Sequence, residues 1–237
     1  MNDLKNAIIA DGEVTAAEVT QLESAVFADG KATKEEVATL FEINNACAVK
    51  DASFAELVAK SVVSCYLADS DSYKELSDAE AAELIALMDT DGKLDSVELL
   101  VIEKLYNKAE KMSPAFTTYV KSRIVDAVTE DGVISDEEIN AIAALVYGTA
   151  EGEEVTREEA ELLFTINNKL PKKIFNWNKF FSEAVAEHIV KDGELSHEEA
   201  IWLNEQIGAD GTVDAAEAAL IAKVKASCTT LSPVFKF

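Results

Sequence analysis

The sequence predicts an all-α protein, built as two tandem pseudo-repeat helical bundles joined without a flexible linker. Three observations carry this. Prolines and glycines are few, three and nine in 237 residues, and between them apolar residues recur at spacings of three and four, with no convincing period-two stretch. Long segments of the first half return in the second. One junction grammar, an acidic residue and glycine, then Ser, Thr or Asp, then Glu, punctuates the chain throughout.

The elements follow in order. Asp11-Gly12 ends the first helix, glycine supplying the left-handed residue past its C-terminus. Thr15 caps the second, and Glu18 closes a capping box three residues on. Asp29-Gly30 ends that helix; Thr33 and Glu36 start the third, which carries Val37, Leu40, Phe41 and Ile43 and stops at Asn44-Asn45. Ser77 with Glu80, and Asp95 with Glu98, open the next boxed helices, the latter leading into "VELLVIEKLY". Ser113 and Pro114 read as the N-cap and first residue of a helix running to about Glu130. Ser135 with Glu138, Thr156 with Glu159, Ser196 with Glu199 and Asp214 with Glu217 repeat the box, around "EAELLFTINN" and "FFSEAVAEHIV". About a dozen helices result. Val14 with Val19, Leu94 with Leu99 and Ile134 with Ile139 stand as hydrophobic staples, and each box contributes on the order of 1 kcal/mol.

The duplication is direct. "EEVATLFEINN" (Glu35 to Asn45) matches "EEAELLFTINN" (Glu158 to Asn168), and the segment from Asp91 to Phe116 matches that from Asp210 to Phe235. "DGEVTAAEV" matches "DGVISDEEI" at Asp131 to Ile139, so the shifts are 123, 119 and 120 residues. Units at residues 1–112 and 113–237 follow.

Charge limits the partners. Asp and Glu total 45 against 21 Lys and Arg, a net charge of −24, which disfavours nucleic acid and anionic lipid and favours cations and basic protein surfaces. No apolar run approaches the roughly 18 residues of a membrane span, so no direct membrane insertion is expected. Three cysteines, Cys47, Cys65 and Cys228, point to a reducing compartment. With no signal peptide apparent, a cytoplasmic location is the default.

The junctions have two readings. In a calcium loop of the EF-hand type glycine takes position 6 and a bidentate glutamate position 12. Gly12 to Glu18, Gly30 to Glu36, Gly92 to Glu98, Gly132 to Glu138, Gly193 to Glu199 and Gly211 to Glu217 all keep that spacing, each glycine preceded by aspartate. Position 1, however, holds Ala7, Ala25, Leu87, Ala127, His188 and Gln206, without a carboxylate, and position 3 is acidic only at Asp89. Complete EF-hands are absent, and capping alone accounts for Ser, Thr or Asp followed by Glu. The aspartate before glycine is not what a helix C-terminus prefers.

In up-and-down bundles, alternate junctions share an end. That gathers Asp11, Glu18, Asp89, Asp91, Asp95 and Glu98, then Asp29, Glu36, Asp69, Asp71 and Glu80. In the second unit the groups are Asp131, Glu138, Asp210, Asp214 and Glu217, then Glu151, Glu159, Asp192 and Glu199. Such carboxylates repel unless bridged, and oxygen-only ligands suit Ca²⁺ first and Mg²⁺ second.

Tandem helical units carrying "ADGxVxxxE" and then "LFEINN" resemble the TerB-like family of tellurite-resistance proteins, over nearly the whole chain. The matching residues are Asp11-Gly12 to Glu18, Asp29-Gly30 to Glu36 and Asp131-Gly132 to Glu138. The resemblance implies helical bundles with acidic clusters that bind divalent metal in stress-response systems. Glu151-Gly152 and the glycine-free Asp69–Ser77 junction depart from the pattern. The candidate metal ligands are Asp11, Glu18, Asp29, Glu36, Asp89, Asp91, Asp95, Glu98, Asp131, Glu138, Asp192, Glu199, Asp210, Asp214 and Glu217. The rival reading is an acidic interaction scaffold for a basic partner, its boxes purely structural.

No nucleophile elbow, phosphate loop or Cys-x-x-Cys pair is present, so no enzyme is expected. His197 reads as surface, Cys47 and Cys65 as buried small hydrophobes, and Asn44-Asn45 and Asn167-Asn168 as helix stops. The loop with Lys169, Lys172 and Lys173 reads either as a docking site or as solvated chain; Trp177, counterpart of Phe54, reads as core.

Overall fold

The computed structural model describes residues 1–68, 73–90, 92–148 and 154–237. Among them are twelve helices: α1 (Asn2–Asp11), α2 (Ala16–Val26), α3 (Lys34–Ala46), α4 (Ala52–Tyr66), α5 (Asp78–Met88), α6 (Ser96–Lys108), α7 (Pro114–Thr129), α8 (Asp136–Val146), α9 (Arg157–Lys169), α10 (Phe175–Ile189), α11 (His197–Gln206) and α12 (Ala215–Ser227). The described residues are all-α apart from four two-residue strands, β1 (Glu13–Val14), β2 (Val49–Lys50), β3 (Glu194–Leu195) and β4 (Thr230–Leu231). Two residues are too few to leave a period-two pattern, so sequence periodicity passes over them.

The strands expose a finer repeat. β1 pairs with β2 and β3 with β4, both parallel, in the registers Glu13↔Val49 and Glu194↔Thr230. Parallel bridges Glu75↔Lys111 and Val133↔Lys172 hold the corresponding places elsewhere. In each case the loop after one helix pairs with the loop after the second helix that follows. The chain is thus four three-helix modules, α1–α3, α4–α6, α7–α9 and α10–α12, and the duplication near 120 residues spans two modules at a time.

The first turn of each module bends through one left-handed residue. Gly12, Gly132 and Gly193 all hold φ 77° there, and the second module places Lys74 at the equivalent position with φ 60°. A side chain in that region costs roughly 1–2 kcal/mol, which glycine escapes. The missing glycine of the second module is therefore a lysine forced into glycine's conformation.

By contacts the chain forms two compact units, the first chiefly Met1–Ile124 and the second chiefly Val125–Tyr147 with residues 154–237; the division falls inside α7. In the first unit α4 packs against α2, α3 and α6, and α3 against α1 and α5. Its core is Ile8, Leu22, Phe41, Phe54, Val62, Ile102 and Leu105, all at most 1% exposed. In the second, α10 packs against α8, α9 and α12. There Phe164 meets Phe181 and Trp202 edge-on, with ring centroids 5.1 and 5.8 Å apart. Trp177 is wholly buried, as is its counterpart Phe54. No helix among the described residues is long and apolar enough to cross a membrane.

Candidate functional site

All eight capping boxes read from the sequence are formed: Thr15–Glu18, Thr33–Glu36, Ser77–Glu80, Asp95–Glu98, Ser135–Glu138, Thr156–Glu159, Ser196–Glu199 and Asp214–Glu217. In every box the cap residue's N–H donates to a glutamate Oε2 at 2.7–3.0 Å. The hydroxyls of Thr15, Thr33, Ser77, Ser135 and Thr156 donate to that same oxygen. The staple residues Val14, Val19, Leu94, Leu99, Ile134 and Ile139 are all buried beneath these caps.

The aspartate before glycine has its own structural task. Its Oδ1 accepts the N–H two residues on, closing an Asx turn over the glycine. The bonds run from Glu13 to Asp11 (3.0 Å), Lys31 to Asp29 (3.2 Å), Val133 to Asp131 (2.8 Å), Glu194 to Asp192 (3.0 Å) and Thr212 to Asp210 (2.9 Å). Local turn closure outweighs the mildly unfavourable helix dipole at that position. Asp91, with Asp69, Asp71 and Glu151, lies outside the described residues. Asp89 is the C-cap of α5, and its Oδ1 lies 2.9 Å from the Arg123 guanidinium.

Two junctions carry a further lock. Asp95 Oδ1 accepts the N–H groups of Val97 and Glu98, while Oδ2 accepts from Asn44 Nδ2 at 3.0 Å and Lys50 Nζ at 3.3 Å. The second unit repeats this at Asp214, whose Oδ2 accepts from Asn167 Nδ2 at 2.8 Å and Lys173 Nζ at 2.5 Å. The copies differ through one aromatic residue. Trp177 Nε1 donates to Asn167 Oδ1 at 2.9 Å; Phe54 has no such donor, and Lys50 takes Asn44 Oδ1 at 2.8 Å instead. Asn44 and Asn167 are therefore not helix stops. Each sits inside its helix and ties it to the cap of a later one. Lys173 is the one member of the lysine loop buried in this way, and Lys169 pairs with Asp126 at 2.9 Å. The duplication marks this triad, since Asn44, Lys50 and Asp95 recur at shifts of 123, 123 and 119 residues.

Basic side chains stand among the carboxylates that the sequence gathers. Lys50 sits at the β1–β2 end beside Asp95, Arg123 at Asp89, and Lys173 at Asp214. At the other end of the first unit, Asp29 and Glu80 line a hollow of about 360 Å³ together with Lys31 and Lys34. Among the described residues, no group of three or more His, Cys, Asp or Glu side chains is placed to hold a metal ion.

The environments set the charges. Burial raises the Asp214 carboxyl, but the bonds from Lys173, the Glu217 backbone and Asn167 outweigh it and hold the group below its ordinary value. Burial raises Glu217 and Glu138 above theirs, with the neighbouring acids adding to the effect. Glu18, near the surface, is lowered by the Thr15 hydroxyl and backbone. Burial pushes all three thiols up, away from the thiolate form. His197 is exposed, and His188 Nδ1 lies 3.0 Å from the Val155 carbonyl.

No protein-family model matches this chain, no curated protein is similar to it, and no solved structure matches it.

Proposed function

We propose that this chain is a non-enzymatic interaction scaffold: four capped three-helix modules whose acidic surface engages a basic protein partner. One observation carries the reading. Among the described residues, the acids of the junctions already serve the fold, the glutamates in capping boxes, the Asx-turn aspartates in loop closure, and Asp95 and Asp214 in neutralised locks. The chain carries a net charge of −24, which attracts cationic surfaces over long range. The TerB-like resemblance and its metal ions rest on the motifs alone, and among the described residues the caps and Asx turns give most of these motif carboxylates a structural role as well.

Calorimetry separates the two. Chelator-stripped protein is titrated with octalysine at 50 and 300 mM salt, and with Ca²⁺ and Mg²⁺. The scaffold reading expects octalysine binding that weakens steeply with salt and no saturable calcium heat at 300 mM. Salt-resistant calcium binding that disappears in Asp89→Asn/Asp131→Asn would replace it with the cation-binding reading.

A further inference from the structure

Among the described residues seven large apolar side chains are exposed, and three of them, Val133, Phe175 and Val213, stand at one end of the second unit. They belong to the α7–α8, α9–α10 and α11–α12 junctions, which are tied together there. Val133 bridges Lys172, the Asn176 amide donates to Asp136 at 2.8 Å, and Lys173 reaches Asp214 at 2.5 Å.

The repeat shows what the fold alone requires at these places. The first, second and fourth modules put Glu13, Glu75 and Glu194 where the third has Val133. Asp51 caps α4 by accepting the Ser53 N–H at 3.0 Å. Its counterpart before α10 is Ile174, which makes no side-chain cap, and aliphatic residues are poor at that position. Ala52 opens α4, whereas Phe175 opens α10 and is 78% exposed. Leu94, 6% exposed, has as its counterpart Val213, 46% exposed. The other copies thus build the same junctions without Val133, Ile174 or Phe175. A lost cap beside an exposed phenylalanine brings the fold nothing, and departures of this kind from local preference collect at functional positions. Exposed apolar surface rimmed by polar groups marks interaction sites.

Charge selects the occupant. Asp131, Asp136, Glu137 and Asp210 are exposed on these junctions, and none of them forms an ion pair among the described residues. Against them stand Lys172 and, one turn into α10, Lys179. Lys169 and Lys173 are already paired with Asp126 and Asp214. The local balance is acidic and the chain's net charge of −24 adds to it, so a cationic surface is drawn in and an anionic one repelled.

We infer that this end of the second unit docks an amphipathic basic segment of a protein partner, its apolar side chains on Val133, Phe175 and Val213 and its cations over the surrounding carboxylates. This rests on the scaffold reading and gives the basic partner a place on the molecule.

The probe is the peptide KLAKLAKKLAKLAK, titrated calorimetrically into the full chain at 150 mM NaCl, with octalysine as the basic peptide without apolar residues. The amphipathic peptide should bind at least tenfold tighter than octalysine although it carries fewer lysines. Val133→Glu/Phe175→Ala should cut that preference below threefold while octalysine binds as well as before or better, since the variant is the more acidic. Both substitutions install the residue that an equivalent position already holds, Glu13 and Ala52, and an unchanged Tm confirms the fold. Val49→Glu, at an exposed valine of the first unit, should leave the preference intact. Equal binding of the two peptides by the wild type, or a preference that survives in the double variant, would overturn the site and leave the scaffold reading standing. Equally tight binding of the acidic peptide ELAELAEELAELAE would overturn the basic occupant. Absence of binding by both basic peptides would overturn the site and the scaffold reading together.

Discussion

Asp214 and Asp95 occupy the same place in the two units, yet their surroundings differ enough to separate their energetic weight. The Asp214–Lys173 pair leaves 18% and 14% of its side chains exposed, against 39% and 18% for Asp95–Lys50. Asp214→Asn keeps the shape and removes the charge, leaving Lys173 without its counter-ion in a half-closed site. A loss of about 1.5–3 kcal/mol is expected by denaturant unfolding; Asp95→Asn, better hydrated, should lose about 1 kcal/mol or less. Because the folded carboxyl of Asp214 lies below its ordinary value of 3.8, its contribution is complete above that pH and fades as pH falls through the lowered value. The gap between wild type and Asp214→Asn should therefore be flat from pH 7 to about 4.5 and narrow below pH 4. Glu138 and Glu217, raised above 4.5, have the opposite sign: their contributions are full below that pH and are lost as pH rises through their folded values. Asn167, wholly buried, satisfies both Asp214 and Trp177. Asn167→Ala orphans the indole N–H and should cost about 2–3 kcal/mol, with a shift in tryptophan emission as a second readout.

At the scale of the element, the recurring device is the boxed helix start. A helix leaves its first N–H groups unsatisfied, and each box supplies an acceptor for one of them, or two where the cap is Asp95 or Asp214, while the glutamate returns to the cap's own N–H. Ser135→Ala removes the acceptor for Glu138 N–H and the hydroxyl that donates to Glu138, and should cost about 1 kcal/mol. Ser135→Asp should recover most of it, since Asp95 and Asp214 show aspartate serving in the same box. These starts were legible in the sequence because a cap needs only residues three apart. The Asx turns span two residues and were also within reach of local reading. The Asn44 and Asn167 locks were not legible locally. Their partners lie 51 and 47 residues away, and a helix-ending asparagine pair has a common local explanation.

For the whole molecule, a net charge of −24 works against compactness through self-repulsion. Thermal stability should rise as NaCl goes from 10 to 150 mM, where the screening length falls to about 8 Å. At matched ionic strength the scaffold reading expects CaCl₂ to give the same rise as NaCl; a larger calcium increment, by linkage, would signal a specific site. Differential scanning calorimetry of chelator-stripped protein decides it.

The sequence by itself determined the helical class, the order of the helices, the eight caps that start them and the doubling of the chain. All of these depend on spacings of a few residues or on direct comparison of one stretch with another. Only the tertiary structure shows which partners the acidic residues meet, because whether a carboxylate meets a lysine, a backbone N–H or another carboxylate depends on segments brought together from far along the chain. It also decided the four-module plan, written in pairings of one or two residues, and it showed Lys74 holding the left-handed turn that glycine holds in the other modules.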